Sequence, residues 1–387
     1  MSDISDNNKA IAEIDDRSPQ QQQQVGWMSS QWLSWNKFSE NLLRTAEKKI
    51  LSYVKTPYRG WYTDIGPVVG HSDKIWTISM NTPNKNTPIV LLHGLGAGVA
   101  FWCLNLDSLA MERPVYAMDL LGFGRSSRPA FSKEAAEAET QMVDALEAWR
   151  REMNLDHFVL LGHSLGGFLA ASYAICHPER VAHLILADPW GFPEKPAEKP
   201  NLPLWVRVLS YSFQPFNPLF AVRVAGPLGQ WLINKARPDI SKKFQHFVGD
   251  ENLISQYVYQ CNAQPPTGES AFHAMMAGFG WAKQPMINRI DKLSPKVPIT
   301  LLYGSRSWVD NTAAEIVKEK RPDCFVQSFV IPGAGHHVYA DKAEVFNKYV
   351  LEACRMADDG TCIDRNRLAI EFDSGELNNG DETAMNL

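Results

Sequence analysis

The chain has 387 residues, 45% of them hydrophobic and 21% charged, which suffices for one large core with an insertion or for two ordinary domains. Its net charge of −5 offers no basic field for nucleic acid, although a local basic patch can still face anionic lipid headgroups. The six cysteines form no C-x-x-C pair, which fits reduced thiols better than a disulfide framework or a zinc site, and neither metal nor cofactor is expected.

Residues 1–24, ending in the run Gln20 to Gln24, are polar and of low complexity, and read as a disordered tail. The first twenty residues lack the basic start and apolar stretch of a secretory signal, and no run elsewhere approaches 18 apolar residues. The expectation is a cytoplasmic protein that does not span a membrane. Residues 25–73 form a lead-in whose Trp27, Trp32 and Trp35 would share an arc of about 140° on a helix. Two readings stay open for these tryptophans: an aromatic plug on the main domain, or insertion into a lipid surface, where tryptophan favours the headgroup zone.

Strand signals begin with KIWTISM and continue through TPIVLLHG, PVYAMDL, HFVLLG, VAHLILAD, PITLLYG and CFVQSFVIPG. Helical stretches such as EAAEAETQMVDALEAWRREM alternate with them. The pattern predicts an α/β fold, a mostly parallel sheet with helices on both faces, in two parts at residues 74–190 and 295–355. Between them, residues 191–294 are rich in aromatics and proline and read as an inserted helical cap. Its apolar residues suit ordinary helical core or the lining of an acyl-chain pocket. Residues 356–387 are acidic, sparse in hydrophobes, and read as a tail.

The stretch GHSLGG at 162–167 follows the buried strand FVLL and precedes the helix-like FLAASYAICH. A bare G-x-S-x-G is weak, but a strand before it and a helix after it supply the setting of a nucleophile elbow. Ser164 would take a strained conformation to project Oγ, with Gly162 and Gly166 leaving room for neighbouring backbone.

A serine needs a histidine to remove its proton and a carboxylate to orient that histidine. Asp310 follows PITLLYG, and His336 follows CFVQSFVIPGAG, giving the order Ser164, Asp310, His336. Asp341 and His337 are the rivals, and the small residues Gly333, Ala334 and Gly335 favour His336 as the one reaching the serine. The backbone N–H groups of Leu165 and of Leu95, in HGLGAG at 93–98, are the expected oxyanion donors. His93 and His163 read as supporting residues.

Together HGLGAG, DLLGFGRSSRP, GHSLGGFLA, DPWGFPE and GAGHHVYAD resemble the subfamily of α/β-hydrolase-domain proteins four and five, from roughly Trp27 to Cys354. The resemblance implies the α/β-hydrolase fold and a place in intracellular glycerolipid metabolism. One branch keeps the elbow serine and is associated with deacylation of N-acyl phosphatidylethanolamine and its lyso form. The other, which in vertebrates looks like GHNLGG, is associated with lipid droplets and their coat proteins and coactivates a patatin-type triglyceride lipase. Ser164 matches the first branch. The subfamily is also linked to acyl transfer from acyl-CoA to lysophosphatidic acid through H-x-x-x-x-D, a spacing met by His336 and Asp341. These implications predict a peripheral protein on droplets or intracellular membranes that acts on phospholipid or glycerolipid.

Overall fold

The computed structural model describes residues 38–196, 218–278 and 280–359. Trp27, Trp32 and Trp35, the tail at 1–24, much of the proline-rich start of the cap and nearly all of the acidic C-terminal segment lie outside the described residues.

In chain order the elements are helix α1 (Glu40–Leu51), strands β1 (Tyr58–Gly66), β2 (Asp73–Met80) and β3 (Ile89–Leu92), helix α2 (Leu106–Ala110), strand β4 (Val115–Met118) and helix α3 (Ala135–Glu152). Strand β5 (Phe158–His163), helix α4 (Leu165–Cys176) and strand β6 (Val181–Ala187) complete the first half. Helices α5 (Pro218–Val224), α6 (Gly229–Ala236), α7 (Pro238–Val248), α8 (Glu251–Asn262) and α9 (Thr267–Met275) form the cap. The second half holds β7 (Ile299–Gly304), α10 (Ala313–Lys320), β8 (Val326–Ile331), α11 (Val338–Asp341) and α12 (Ala343–Asp359).

The strands make one eight-stranded sheet in the order β1-β2-β4-β3-β5-β6-β7-β8. β2 runs antiparallel to both its neighbours, and the other pairings are parallel. Helices cover both faces, so β3, β5 and β7 are buried along their whole length, which is why they read in sequence as unbroken apolar runs. Successive side chains still go to opposite faces. Ile89 and Leu91 enter one core with α1, α2 and α12, whereas Val90 and Leu92 enter the other with α3, α4 and α10.

The sheet begins at Tyr58, inside the segment expected to be only a lead-in. β1 is an edge strand carrying Arg59, Thr63 and Asp64, with no clean apolar alternation to announce it. Helix α1 before it is capped by Ser39, whose side chain accepts the Leu42 N–H, and whose own N–H donates to Gln260 on α8 at 2.9 Å. Its Glu47 is buried against Arg125 at 2.8 Å, with that guanidinium 3.5 Å from the Trp76 ring centroid.

Among the described residues, cap side chains continue the two cores rather than building a third. Phe244, Val248 and Tyr257 join the first, and Phe272 and Met275 the second. A buried ion pair, Arg223 to Glu269 at 2.7 Å, ties α5 to α9. At the other end, α12 runs on to Asp359, past the expected start of the tail. Among the described residues no helix is long and apolar enough to cross a membrane.

Candidate active site

The elbow follows from register. β5 ends at His163, which pairs with Ala187 at the end of β6, and Ser164 then turns sharply into α4. Its backbone sits at φ 53°, ψ −116°, a left-handed conformation that side-chain-bearing residues rarely adopt. The Ser164 N–H is held by the Ala187 carbonyl at 3.1 Å, and the Ser164 carbonyl accepts the Trp190 N–H at 3.1 Å. The flanking glycines are required by space: a Cβ on Gly162 would stand 2.2 Å from the Gly166 carbonyl oxygen, and one on Gly166 2.4 Å from that of Leu92. Turn, strand and helix together leave Ser164 7% exposed, with its Oγ 3.1 Å from His336 Nε2.

His336 lies in the tight loop between β8 and α11, and its Nδ1 is 2.6 Å from a carboxylate oxygen. That carboxylate belongs to Asp188, not to Asp310. Asp188 follows β6, in the strand position directly beside the elbow, and is wholly buried. Its Oδ1 accepts the Gly304 N–H at 3.2 Å, and its Oδ2 also accepts the Ser307 hydroxyl. Asp310 is exposed, and its carboxylate accepts the Thr312 N–H at 2.9 Å, a turn contact. The expectation that Asp310 orients the histidine is therefore corrected: the Asp310 carboxylate is turned to its own loop at Thr312, and that of Asp188 meets His336 Nδ1. The sequence signal for Asp188 was DPWGFPE, with the aspartate immediately after the apolar run LILA.

Leu165 opens α4, so its N–H belongs to the first turn, where no intrahelical acceptor exists and the helix end is partially positive. Leu95 sits in the loop after β3, closed by the Ala97 N–H to the Gly94 carbonyl at 3.2 Å, with Gly96 at φ 71°. Close approach to Ser164 is built into this loop, since a Cβ on Gly94 would meet the Ser164 Cβ at 3.1 Å.

The other histidines support the two loops. His93 contacts the Gly94 carbonyl at 2.8 Å through Nδ1, and its Nε2 accepts the Leu120 N–H at 3.0 Å, which defines a neutral tautomer. Burial accordingly pushes its pKa down to about 4. His163 meets the His336 carbonyl at 2.9 Å through Nε2, while its buried Nδ1 has no partner among the described residues. Burial, and then the neighbouring His336, hold it neutral, well below the usual histidine range. His337 meets the cap, its Nδ1 3.5 Å from Lys243 Nζ. Asp341 makes no bond to His336; its Oδ2 accepts the Gly335 N–H at 2.8 Å and Lys243 Nζ at 3.1 Å. The sequence pattern gave no sign of Lys243 or Ser307. Among the described residues no cluster of His, Cys, Asp and Glu could hold a metal ion.

Serine, imidazole and buried carboxylate thus form one hydrogen-bonded line, with a helix N-terminus and a glycine-rich loop beside the hydroxyl. The sequence profile described as "alpha/beta hydrolase fold" matches residues 87–343. The human "(Lyso)-N-acylphosphatidylethanolamine lipase" is 45% identical over 342 residues, covering 87% of this chain and 98% of its own. The pig "1-acylglycerol-3-phosphate O-acyltransferase ABHD5" is 45% identical over 340 residues, covering 86% and 95%. Among solved structures, naproxen esterase from Bacillus subtilis superposes with a TM-score of 0.58 at 17% identity, over 82% of this chain and 99% of that one, a likeness of fold alone. The resemblance read from the five motifs and the fold expected from the strand pattern are borne out, and the chain belongs to the α/β-hydrolase fold family.

Proposed function

We propose that the protein is a serine hydrolase that cleaves fatty-acyl ester bonds of glycerophospholipids, with N-acyl phosphatidylethanolamine or its lyso form as substrate. The observation that carries this reading is the Ser164 Oγ–His336 Nε2–Asp188 line, with separations of 3.1 Å and 2.6 Å. Asp188 keeps the proton of neutral His336 on Nδ1, which leaves the Nε2 lone pair facing the serine hydroxyl. His336 takes that proton as Oγ attacks the acyl carbonyl, and the N–H groups of Leu95 and Leu165 receive the oxyanion. The proton then passes from His336 to the leaving alcohol. Water, deprotonated by the same histidine, releases the fatty acid from Ser164. Lipid as substrate is supported by the lipase at 45% identity. Incubation with vesicles containing N-acyl phosphatidylethanolamine should release free fatty acid, and folded Ser164→Ala should release none. Equal release by that variant would contradict the reading.

A second reading, acyl transfer from acyl-CoA to lysophosphatidic acid, is favoured by the name of the acyltransferase relative at equal identity. The bonds of Asp341 weigh against a chemical part for the H-x-x-x-x-D spacing, since its carboxylate is engaged by Gly335 and Lys243. Phosphatidic acid formation from the two substrates separates the readings. Peripheral lipid-droplet binding through Trp27, Trp32 and Trp35, and coactivation of a patatin-type triglyceride lipase there, remain proposals that flotation and lipase-stimulation assays test.

A further inference from the structure

Polar contacts from the cap reach both catalytic loops, through Lys243 on one and Asn262 on the other. On α7, Lys243 reaches the histidine loop with Nζ 3.1 Å from both carboxylate oxygens of Asp341, and the two side chains are only 15% and 14% exposed. Asp341 Oδ2 in turn accepts the N–H of Gly335, the residue immediately before His336. At the end of α8, Asn262 donates from Nδ2 to the Gly96 carbonyl at 2.8 Å, next to Leu95 in the oxyanion loop. Asn262 is 7% exposed, and its own carbonyl accepts a guanidinium N–H of Arg223 at 3.1 Å, so it is anchored within the cap.

A lid that only sheltered an acyl chain would need apolar contact and no more. Desolvating a charge pair and an amide is unfavourable unless geometry is gained, and directional bonds fix position where apolar packing does not. The first contact reaches, through Asp341, the residue before His336, and the second ends directly on the residue after Leu95: Gly335 precedes His336, and Gly96 follows Leu95.

We propose that the cap is a working part of the catalytic apparatus, with Lys243 and Asn262 as positioning residues that hold the His336 loop and the Leu95 loop in register with Ser164. Loss of either contact loosens a loop without removing a reacting group. This rests on the reading of Ser164 and His336 as nucleophile and base.

The test uses the full chain and a short-chain p-nitrophenyl ester, whose hydrolysis requires no lipid surface. Lys243→Met and Asn262→Leu should each lower kcat about 10- to 100-fold with little change in KM, the scale expected when a reacting group is misplaced by about 1 Å. Lys243→Arg, which keeps a cation facing Asp341, should recover most of the loss, a result that removal of mere packing would not give. Asp341→Asn should resemble Lys243→Met, and the double variant should be no worse than either single one. Lys49→Met breaks an exposed pair between α1 and Asp250 of the cap that touches neither loop, and should leave kcat unchanged. If Lys243→Met fails to fold, Asn262→Leu and Lys243→Arg still decide. Unchanged kcat in folded variants, or effects confined to KM, would overturn the inference while an inert Ser164→Ala upholds the nucleophile. A Ser164→Ala that hydrolyses the ester as well as wild type would overturn the nucleophile reading itself.

Discussion

The Nδ1 of His336 meets Asp188 Oδ2 at 2.6 Å, although the two residues are 148 positions apart in sequence. The carboxylate that meets the histidine therefore lies at the end of β6 rather than in the loop after β7. Asp188→Asn presents an amide that cannot hold the same tautomer and should lower ester turnover by about 10⁴-fold with little change in melting temperature. Asp310→Asn should leave turnover close to wild type, because the Asp310 side chain caps a local turn. Side-by-side kcat measurements decide between them, and the reverse order of effects would restore Asp310.

Gly166→Ala tests the elbow. Its new Cβ would stand 2.4 Å from the Leu92 oxygen and 2.6 Å from the His93 oxygen, both backbone atoms with no rotamer to escape into. The expected cost is about 1–3 kcal/mol of stability, as for overpacking elsewhere. The backbone shift should also misplace Ser164, so calorimetry should show a lowered melting temperature together with lost turnover. An alanine variant as stable and active as wild type would refute the spatial argument for the glycine.

Legibility in the sequence tracked how strongly local chemistry constrained each element. β3, β5 and β7 were readable because burial on both faces demands unbroken apolar runs, and Ser164 because its turn demands small neighbours. His336 was readable from the small residues that let its loop fold over. β1 was not, since an edge strand tolerates Arg59, Gly60 and Asp64. Asp188 and Asp310 each follow an apolar strand and both fit the chain order, so local sequence does not separate them; the contact of Asp188 with His336 Nδ1 does. Lys243 and Asn262 depend on where the cap lands, which no local pattern encodes.

Buried neutral histidines should make the fold acid-sensitive. His93 has its pKa lowered to about 4 by burial, and burial likewise brings His183 to about 3. Between these values and the ordinary histidine value near 6.5 the unfolded chain binds more protons than the folded one, so stability rises with pH there. The contribution is fully present above about pH 6.5 and is lost as pH falls, reaching about 3 kcal/mol for His93 by pH 4. Calorimetry from pH 7.5 down to 4.5 should show a falling melting temperature, and His93→Gln should flatten that slope. A melting temperature that rises on acidification would contradict this assignment.

The reactivity of one hydroxyl most directly decides whether Ser164 and His336 act as nucleophile and base. A fluorophosphonate probe reacts with serine only where a base and oxyanion donors activate it, so the site of its adduct, mapped by peptide mass spectrometry, reports the nucleophile. The predicted result is a single adduct on Ser164, formed at least about 10³-fold more slowly in His336→Ala and at an unaltered rate in Asp310→Asn. An adduct on another residue, or labelling undiminished in His336→Ala, would contradict the assignment of Ser164 and His336.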